Sequence, residues 1–307
     1  MKAAVLHQQN ETPRLEQFRE PEPQDGALEI QVTAGSIGPT DLMRAAGFFG
    51  PVNGPLVVGG EGAGRLADGR RVYFGHAVTP FGAFSERTLV PASEVWPIPD
   101  SIDDAQAIAL GISGTGALLP LEEARIEKGE TVLILGATGP LGQIALQLAR
   151  AMGAGCVIGA ARNATALDRL LQRGLADEVV QLGHGDDLSA LKEAAPRGYD
   201  VVLDVVYGPP AEAAMKVTAP GARMMSIGVQ AGQTVTLSLR DLVFRSHIGV
   251  GTGQRPAAER RAAYERLLGY ARAGEVSVDI ASFTLDQAAE AWQAQSGSPH
   301  GKIVVTV

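Results

Sequence analysis

The stretch that decides the fold reads TVLILGATGPLG and runs from Thr131 to Gly142. Its first five residues form an apolar run that predicts a β-strand, its middle is rich in glycine, and the pattern from Pro140 onward is helical. Small residues let a backbone approach a pyrophosphate closely, and the N–H groups at the start of the next helix point at the anion. The stretch therefore predicts a strand–turn–helix unit that binds a dinucleotide.

The residues of this turn that we predict to contact a cofactor are Gly136, Thr138, Gly139, Pro140, Leu141 and Gly142. Pro140 suits the first turn of a helix, where its missing N–H costs nothing, and Gly142 lets the helix pack closely on the strand. Ala137 stands where the G-x-G-x-x-G fingerprint has its second glycine, so the match is incomplete. The alternative is a tight turn that binds nothing.

Apolar runs alternate with helical patterns on the C-terminal side of this turn. We predict strands at residues 131–135, 156–160, 178–181, 201–205, 223–227 and 246–250, with helices at 140–152, 164–173, 188–195 and 210–217. This alternation is typical of an α/β fold with a doubly wound parallel sheet. Strands that are apolar throughout, as at 132–135, fit a sheet that is covered on both faces.

The end of the second predicted strand selects the cofactor. A carboxylate about 20 residues after the fingerprint would bind the ribose 2′-hydroxyl of NAD. This chain has Ala161-Arg162-Asn163 at that place and no acid. Arg162 is able to pair with a 2′-phosphate, and Ala161 leaves room for it, so the sequence predicts NADPH as the cofactor. The alternative is that Arg162 is a solvated charge at a helix start.

The two ends of the chain read differently from the middle. Short strand patterns near 28–32, 57–58, 71–74 and 83–90, separated by glycine and proline, predict an irregular, barrel-like β domain. Toward the C-terminus we predict a helix at 257–272, a helix that opens on a capping box at Thr284 and runs to residue 295, and a strand at 302–306.

Composition excludes several classes of protein. Lys and Arg number 26 and Asp and Glu number 34, and the resulting net charge of −8 argues against a nucleic-acid partner and against attachment to anionic lipid. There is no apolar run of about 18 residues and no signal-peptide pattern. The one cysteine, Cys156, cannot form an internal disulfide. We therefore expect a cytoplasmic protein with no membrane partner.

Several motifs together resemble the medium-chain dehydrogenase/reductase superfamily, in its zinc-free, zeta-crystallin-like quinone oxidoreductase branch. The similar segments are residues 1–5, 56–64, 82–86, 128–133, 199–204 and 301–304. The resemblance implies a GroES-like β-barrel catalytic domain at 1–113 and 254–307, interrupted by a Rossmann NADP-binding domain at 114–253. It also implies cofactor contacts from Thr115 and from loops after the later strands, at Val206, Tyr207, Gly228, Val250, Gly251 and Thr252.

The resemblance bears on metal as well. Zinc-dependent relatives carry Gly-His-Glu where this chain has Gly59-Gly60-Glu61, and the predicted barrel contains no cysteine. Because catalytic zinc needs three protein ligands from Cys, His or acid, we expect no metal. Without a Lewis acid, reduction of a conjugated double bond fits better than alcohol oxidation, since a hydrogen-bond donor can stabilise the enolate or phenolate that hydride attack produces.

The leading hypothesis is an NADPH-dependent reductase of quinones or α,β-unsaturated carbonyl compounds that works by direct hydride transfer. One alternative is a zinc-free carbonyl or alcohol dehydrogenase, and another is a non-catalytic NADPH-binding protein. The non-catalytic alternative is supported by a difference from the family's sequence pattern. The family's Asn-x-x-Asp stretch appears here as Gly38-Pro39-Thr40-Asp41, without its asparagine.

Candidates for a proton donor are Asp41, Tyr73 and Tyr207, each with an ordinary structural role as the alternative. Protonation by water is also open. Met43, Phe48 and Phe49 either line a pocket for a small apolar quinone or enone, or pack in the core. We further expect a homodimer, because the family commonly pairs the edge strands of its nucleotide domains and residues 234–250 are able to supply such an edge.

Overall fold

The computed structural model describes all residues from 1 to 307 and contains sixteen strands and ten α-helices. The strands are β1 (Lys2–Leu6), β2 (Arg14–Gln17), β3 (Ala27–Ile37), β4 (Leu56–Val57), β5 (Glu61–Arg65), β6 (Arg71–Phe74), β7 (Arg87–Pro91), β8 (Val95–Pro97), β9 (Thr131–Leu135), β10 (Cys156–Ala161), β11 (Glu178–Gln181), β12 (Tyr199–Asp204), β13 (Thr218–Ser226), β14 (Ser246–Gly249), β15 (Ile280–Thr284) and β16 (Lys302–Thr306). The helices are α1 (Pro39–Ala45), α2 (Asp104–Ala109), α3 (Thr115–Ala124), α4 (Pro140–Ala151), α5 (Ala164–Gln172), α6 (Asp187–Ala194), α7 (Gly208–Lys216), α8 (Leu239–Leu242), α9 (Ala257–Arg272) and α10 (Ala288–Ser296). None of these helices combines the length and apolar character that a membrane crossing needs.

The chain divides into two compact units that alternate along the sequence. Unit 1 comprises residues 1–112, 257–268 and 278–307, and unit 2 comprises residues 113–256 and 269–277. The second boundary falls inside α9, so one helix supplies residues to both units.

Unit 2 is built on a six-stranded sheet in the order β11-β10-β9-β12-β13-β14, and every neighbouring pair is parallel. The side chains of Val132 to Leu135 in β9 are completely buried, as a central strand covered on both faces requires. This sheet and the helices between its strands confirm the predicted doubly wound α/β fold.

The helix starts of unit 2 follow from local capping. The Asn163 side chain accepts a hydrogen bond from the Ala166 N–H at the start of α5, and Asp186 accepts one from the Ser189 N–H at the start of α6. Such caps satisfy N–H groups that have no partner within the helix. These caps determine where α5 and α6 begin, and both helices start within one residue of the position predicted from the sequence.

Unit 1 contains the antiparallel strands of the N-terminal part and the strands that return from the C-terminus. One sheet has the order β2-β1-β4, and a larger one has the order β15-β16-β3-β5-β6-β8, with β7 also paired to β3. The C-terminal β16 pairs antiparallel with β3, with Val305 opposite Gly35. The predicted strand at 302–306 and the predicted helix at 257–272 are both confirmed.

One predicted strand is confirmed only in part, and one expected extension of a sheet edge is absent. The predicted strand at 83–90 is confirmed from Arg87 onward, where β7 begins. Residues 83–86 instead form a bend with a single bridge from Ser85 to Ala3, and the Ser85 hydroxyl contacts the carbonyl oxygens of Gly82 and Arg87. Residues 234–237, which we expected to extend the sheet edge, have no regular structure, and β14 alone forms that edge.

Candidate cofactor site

The centre of the unit 2 sheet is where its strand order reverses. The strands β9 and β12 are neighbours there, with Leu135 opposite Asp204 at their carboxyl ends. In open α/β sheets, ligands bind in the crevice outside the carboxyl ends at this point. The topology therefore places the candidate site at the turns that follow β9 and β12.

The glycine-rich turn after β9 is held by backbone bonds. The N–H groups of Gly136 and Ala137 both donate to the Ala160 carbonyl, at 2.8 and 3.1 Å, and Gly136 has a φ of +79°. A Cβ on Gly142 would lie 2.6 Å from the Ala137 Cα, so only glycine lets α4 approach the turn this closely. Gly139 differs, because a Cβ there would meet nothing closer than 3.8 Å. The turn is therefore closed on its protein side and open at Gly139.

Three turns at the carboxyl edge of the sheet pack on one another. A Cβ on Gly136 would lie 2.5 Å from Val205 Cγ2 and 2.9 Å from Val206 Cγ1, and one on Gly228 would lie 2.6 Å from the Val205 carbonyl carbon. The turns after β9, β12 and β13 thus meet at Val205 and Val206. The structure brings these predicted cofactor residues together in one place.

The start of α4 leaves its backbone donors available. Gly139 is the N-cap residue and has no side chain to accept their hydrogen bonds, and the first turn of α4 contains no acidic residue. The first N–H groups of any helix lack partners within the helix and carry a partial positive charge. This end of α4 is suited to bind an anion.

The Thr115 segment lies beside this helix end. Thr115 begins α3 and is buried, and a Cβ on the adjacent Gly116 would lie 2.9 Å from Leu141 Cδ1 in the first turn of α4. The remaining predicted loop follows β14, where the Val250 N–H donates to the Ser226 carbonyl at 2.8 Å. Gly251 and Thr252 continue that loop into a short 3-10 helix.

Arg162 follows β10 at the same edge of the sheet. Its side chain is exposed and forms no ion pair, and its stem runs near Gly183, where a Cβ would lie 3.7 Å from Arg162 Cγ. Ala161 beside it is buried. Asn163 uses its side-chain oxygen to cap α5, and its amide NH₂ remains to bind a ligand. Because Arg162 forms no ion pair, its guanidinium is a cation without an internal partner.

Tyr207 lies at the start of α7 in an unusual backbone conformation, with a φ of +56°. The carboxylate of Asp204 accepts hydrogen bonds from the Val206 and Tyr207 N–H groups at 2.9 and 2.8 Å. Asp204 is not among the site residues predicted from the sequence. Its position as the acid that ends the apolar run of β12 was the signal that could have revealed it.

The Asp41 carboxyl, in unit 1, closes the start of α1 by accepting a hydrogen bond from the Gly38 N–H at 2.8 Å. Burial raises the pKa of Asp41 from 3.8 to about 6, although the Gly38 N–H and the charges of Arg44 and Lys302 act to lower it. A Cβ on Gly60 would lie 3.0 Å from Asp41 Oδ1. The carboxyl thus changes its protonation state close to neutral pH.

Tyr73 occupies a buried polar network in unit 1. Its hydroxyl donates to Glu61 Oε2 at 2.7 Å, the Ile112 N–H donates to the same oxygen at 2.9 Å, and the Lys302 ammonium binds Glu61 Oε1. The ring stacks on Tyr264 with centroids 4.8 Å apart. Burial, with the nearby Glu61 charge, raises the pKa of Tyr73 well above its usual range. The pairing of Lys302 with Glu61 was not predicted, since nothing in the order of residues along the chain links the two.

The donor set of the chain does not fit a zinc ion. No group of three or more His, Cys, Asp or Glu side chains lies close enough together to ligate a metal. Both oxygens of Glu61 already bind the partners just named. His7 contacts Glu16 at 3.0 Å and His247 contacts Ser226 at 3.0 Å, so these two imidazoles have other partners as well.

This chain is similar to known proteins in sequence and in structure. The sequence model of a family described as zinc-binding dehydrogenase matches residues 140–267. A phenolphthiocerol/phthiocerol polyketide synthase of Mycobacterium tuberculosis is 28% identical over 100% of this chain, but the chain spans only 15% of that protein. Quinone oxidoreductase of Rattus norvegicus is 28% identical over 75% of this chain and 73% of its own length. The crystal structure of a quinone oxidoreductase from Thermus thermophilus, also solved in complex with NADPH, is 29% identical over 100% of both chains with a TM-score of 0.81.

Proposed function

This chain belongs to the medium-chain dehydrogenase/reductase superfamily, in its quinone oxidoreductase-like branch, and from that premise we propose that it is an NADPH-dependent reductase of quinones or α,β-unsaturated carbonyl compounds. The observation that carries the proposal is the open face of the turn at Gly139, next to a helix start without an internal anion. That combination supports binding of a pyrophosphate.

The residues present fit NADPH. Gly136 and Gly142 let the turn pack closely against the rest of unit 2, and the open face at Gly139 lies at the start of α4, where the first N–H groups of the helix have no partners. Arg162, exposed and without an ion pair, is placed after the strand where an NAD-specific enzyme would have its acid. The 2′-phosphate of NADPH would supply the anion that Arg162 lacks. The Thermus thermophilus relative, solved with NADPH, supports the same cofactor.

NADPH supplies a hydride when it is bound. The chain's own contribution is to orient the cofactor. The turn and α4 bind the pyrophosphate, Val206 lies next to the turn, and Gly116, the neighbour of Thr115, lies next to the start of α4. Hydride transfer to a conjugated acceptor leaves an enolate or a phenolate, which needs hydrogen-bond donors rather than a metal. The reaction we propose is zinc-independent, because the donor set does not fit a zinc ion.

Asp41 is the proton-donor candidate whose chemistry suits a neutral solution, because its pKa of about 6 keeps part of the carboxyl protonated. The Tyr73 hydroxyl is buried and already donates to Glu61, so we assign it a structural role. An apolar acceptor is supported by Phe48 and Phe49, two rings that are 49% and 59% exposed and pack edge to face at 5.1 Å.

The first experiment measures cofactor preference by titrating NADPH and NADH against wild type and Arg162→Ala. We expect the preference for NADPH to fall by about 10- to 100-fold, because charged hydrogen bonds contribute roughly 1.5–3 kcal/mol each. Arg169→Ala, on the same unit in α5, is the matched control that should leave the preference unchanged. An unchanged preference in Arg162→Ala would remove the role assigned to this residue.

The second experiment assays NADPH oxidation with benzoquinone, short enones and plain ketones. Turnover of the quinone and the enones supports the proposal. Turnover of ketones alone would favour the carbonyl dehydrogenase alternative. Binding of NADPH, seen as a rise in melting temperature, with no turnover of any of these compounds would favour a non-catalytic protein.

The homodimer is proposed on a patch beside the sheet edge. Leu239 and Phe244 are 78% and 81% exposed, Leu242 and Val243 are also exposed, and β14 has an unpaired edge next to them. An apolar patch and an open strand edge are both liabilities that a second copy of this chain would cover. Light scattering should give a dimer for wild type and a monomer for Phe244→Ser; a wild-type monomer at micromolar concentration would refute the dimer.

A further inference from the structure

Three polar side chains form a hydrogen-bonded chain that joins the carboxyl ends of β12 and β13 to the second residue of β14, His247. The Ser226 hydroxyl donates to Asp204 Oδ2 at 2.8 Å, and Ser226 Oγ lies 3.0 Å from His247 Nε2. Asp204 is completely buried and Ser226 is 8% exposed. Buried polar groups of this kind are costly unless every one of them has a partner. Asp204 and Ser226 are thus buried partners of each other, and His247 beside them is half-buried.

One end of the hydrogen-bonded chain holds a backbone turn. The other oxygen of Asp204, Oδ1, accepts both the Val206 and the Tyr207 N–H groups. Tyr207 has a φ of +56°, which a residue with a side chain rarely adopts. Two hydrogen bonds to one carboxylate oxygen offset the cost of that conformation. Without them the turn would be free to relax.

The other end holds the side chain of the same residue. The His247 ring stacks on the Tyr207 ring, with centroids 6.0 Å apart and planes 23° apart. Tyr207 is therefore fixed twice, through its backbone by Asp204 and through its ring by His247, and Ser226 connects the two. The turn that is fixed in this way also contributes Val206, which packs against Gly136.

The direction of the hydrogen bonds determines a tautomer. Because the Ser226 hydroxyl donates its hydrogen bond to Asp204, Ser226 Oγ is left to accept a hydrogen bond from the Nε2–H of His247. Burial lowers the pKa of His247, against the nearby Asp204 charge, so the neutral ring is favoured. The neutral ring then carries its proton on Nε2. The same direction argues against a hydrolytic triad, in which the serine would give its proton to the histidine.

We propose that Asp204, Ser226 and His247 are positioning residues that act together to fix the Val205–Gly208 turn for the bound cofactor. The consequence for NADPH rests on the proposed function, but the hydrogen-bonded chain itself is a property of the cofactor-free protein. The hydrogen-bonded chain and its effect on NADPH binding are therefore tested by separate measurements.

The first test reads the tautomer of His247 by ¹⁵N NMR of histidine-labelled protein without cofactor, with the signal assigned by its loss in His247→Gln. Wild type is expected to carry the proton on Nε2. Asp204→Asn should move it to Nδ1, because the asparagine NH₂ donates to Ser226, whose hydroxyl must then donate to His247. An unchanged tautomer in Asp204→Asn would overturn the proposed hydrogen-bonded chain.

The second test uses hydrogen exchange of the Val206 and Tyr207 amides in the same cofactor-free samples. Asp204→Asn keeps an oxygen acceptor and should retain protection, whereas Asp204→Ala should raise the exchange rate of both amides by at least tenfold. Equal protection in wild type and Asp204→Ala would show that the carboxylate does not hold the turn. If Asp204→Ala does not fold, the tautomer in Asp204→Asn and the cofactor titration below decide the question.

The third test measures NADPH binding in Ser226→Ala, which removes the link but leaves Asp204 its two amide hydrogen bonds. We expect the Kd to rise by about 5- to 20-fold and the KM for NADPH to rise more than kcat falls, with recovery in Ser226→Thr. Ser189→Ala, which removes a surface serine–aspartate bond on the same unit, is the control. Wild-type affinity in Ser226→Ala would overturn the positioning role. Failure of wild type to bind NADPH would instead overturn the proposed function.

Discussion

Two glycine-rich segments of the chain use the same residue for opposite purposes. The sheet cluster, Gly59 to Gly64 in unit 1, is closely packed: a Cβ on Gly62 would lie 2.6 Å from Phe74 Cζ and 2.7 Å from the Ala34 carbonyl oxygen. The turn cluster, Gly136 to Gly142 in unit 2, is filled on its protein side but open at Gly139. Glycine serves packing in the first cluster and ligand approach in the second.

The two clusters also differ in charge, and this difference again separates the cluster that packs from the cluster that is open to a ligand. The sheet cluster contains Glu61, and its carboxylate is neutralised inside the protein by Lys302. The turn cluster precedes α4, whose first turn has no acid and whose N-cap is a glycine. One cluster satisfies its own charge, and the other leaves a partial positive charge for a partner from outside. This difference in charge indicates that the turn cluster is the one that binds a ligand, which the presence of glycines in both clusters does not.

The largest effect is expected from Lys302→Met, which would leave the buried Glu61 carboxylate without its cation. Breaking a buried pair from one side costs about 3–5 kcal/mol. The free energy of unfolding from urea titration should fall by that amount and recover in the double variant Glu61→Gln/Lys302→Met. Lys216→Met, which breaks a half-exposed pair with Glu212, is the control and should cost less than about 1 kcal/mol. If Lys302→Met lowered the free energy of unfolding by less than about 1 kcal/mol, Lys302 would not be what neutralises Glu61.

Gly62→Ala should be the next most damaging change. The added Cβ meets backbone as well as side chains, so the neighbours cannot all move away, and we expect a loss of about 2 kcal/mol by thermal or urea unfolding. Gly269→Ala, where a Cβ in α9 meets nothing within 4 Å, is the control and should be neutral or stabilising. Equal stabilities of the two variants would contradict the close packing of the sheet cluster.

Gly139→Ala should leave the fold unchanged and weaken cofactor binding. Gly139 has a φ of −77°, which alanine adopts freely, and its Cβ has space in the protein alone. A methyl group on the open face would lie where the pyrophosphate approaches, so we expect the Kd for NADPH to rise by about tenfold, or 1.4 kcal/mol. Calorimetric titration measures the Kd, and the melting temperature checks the fold. Unchanged affinity would mean that the ligand does not approach at Gly139.

The smallest effect concerns Asp41, beside Gly60 of the sheet cluster. Its folded pKa of about 6 lies above the usual 3.8, so the folded protein binds this proton more tightly than the unfolded chain. Wild-type stability should therefore fall as pH rises from about 4 to 6 and lose nothing more above that. Asp41→Asn should be more stable than wild type by about 1 kcal/mol at pH 7.5, and the advantage should shrink toward pH 4. A pH-independent difference would contradict the raised pKa.

Much of the unit 2 fold was readable from the sequence, because local patterns determine it. Strands such as Thr131–Leu135 are apolar throughout, and helix starts such as that of α5 carry their own cap. The first half of the predicted strand at 83–90 is wrong for another local reason: the Ser85 hydroxyl bonds nearby carbonyl oxygens in a bend that the apolar neighbours of Ser85 do not reveal. Side-chain to backbone bonds of this sort compete with strand formation without changing the hydrophobic pattern.

The sequence by itself determined the alternation of strands and helices, the position of the glycine-rich turn and the absence of an acid near Arg162. These features depend on residues close together in the chain. Only the tertiary structure decided that Lys302 neutralises Glu61 and that Asp204, Ser226 and His247 are joined by hydrogen bonds. Such pairs join residues that are tens to hundreds of positions apart, and their energies depend on burial and on distances of a few ångströms. The order of residues in a chain specifies neither quantity until the sheets have formed.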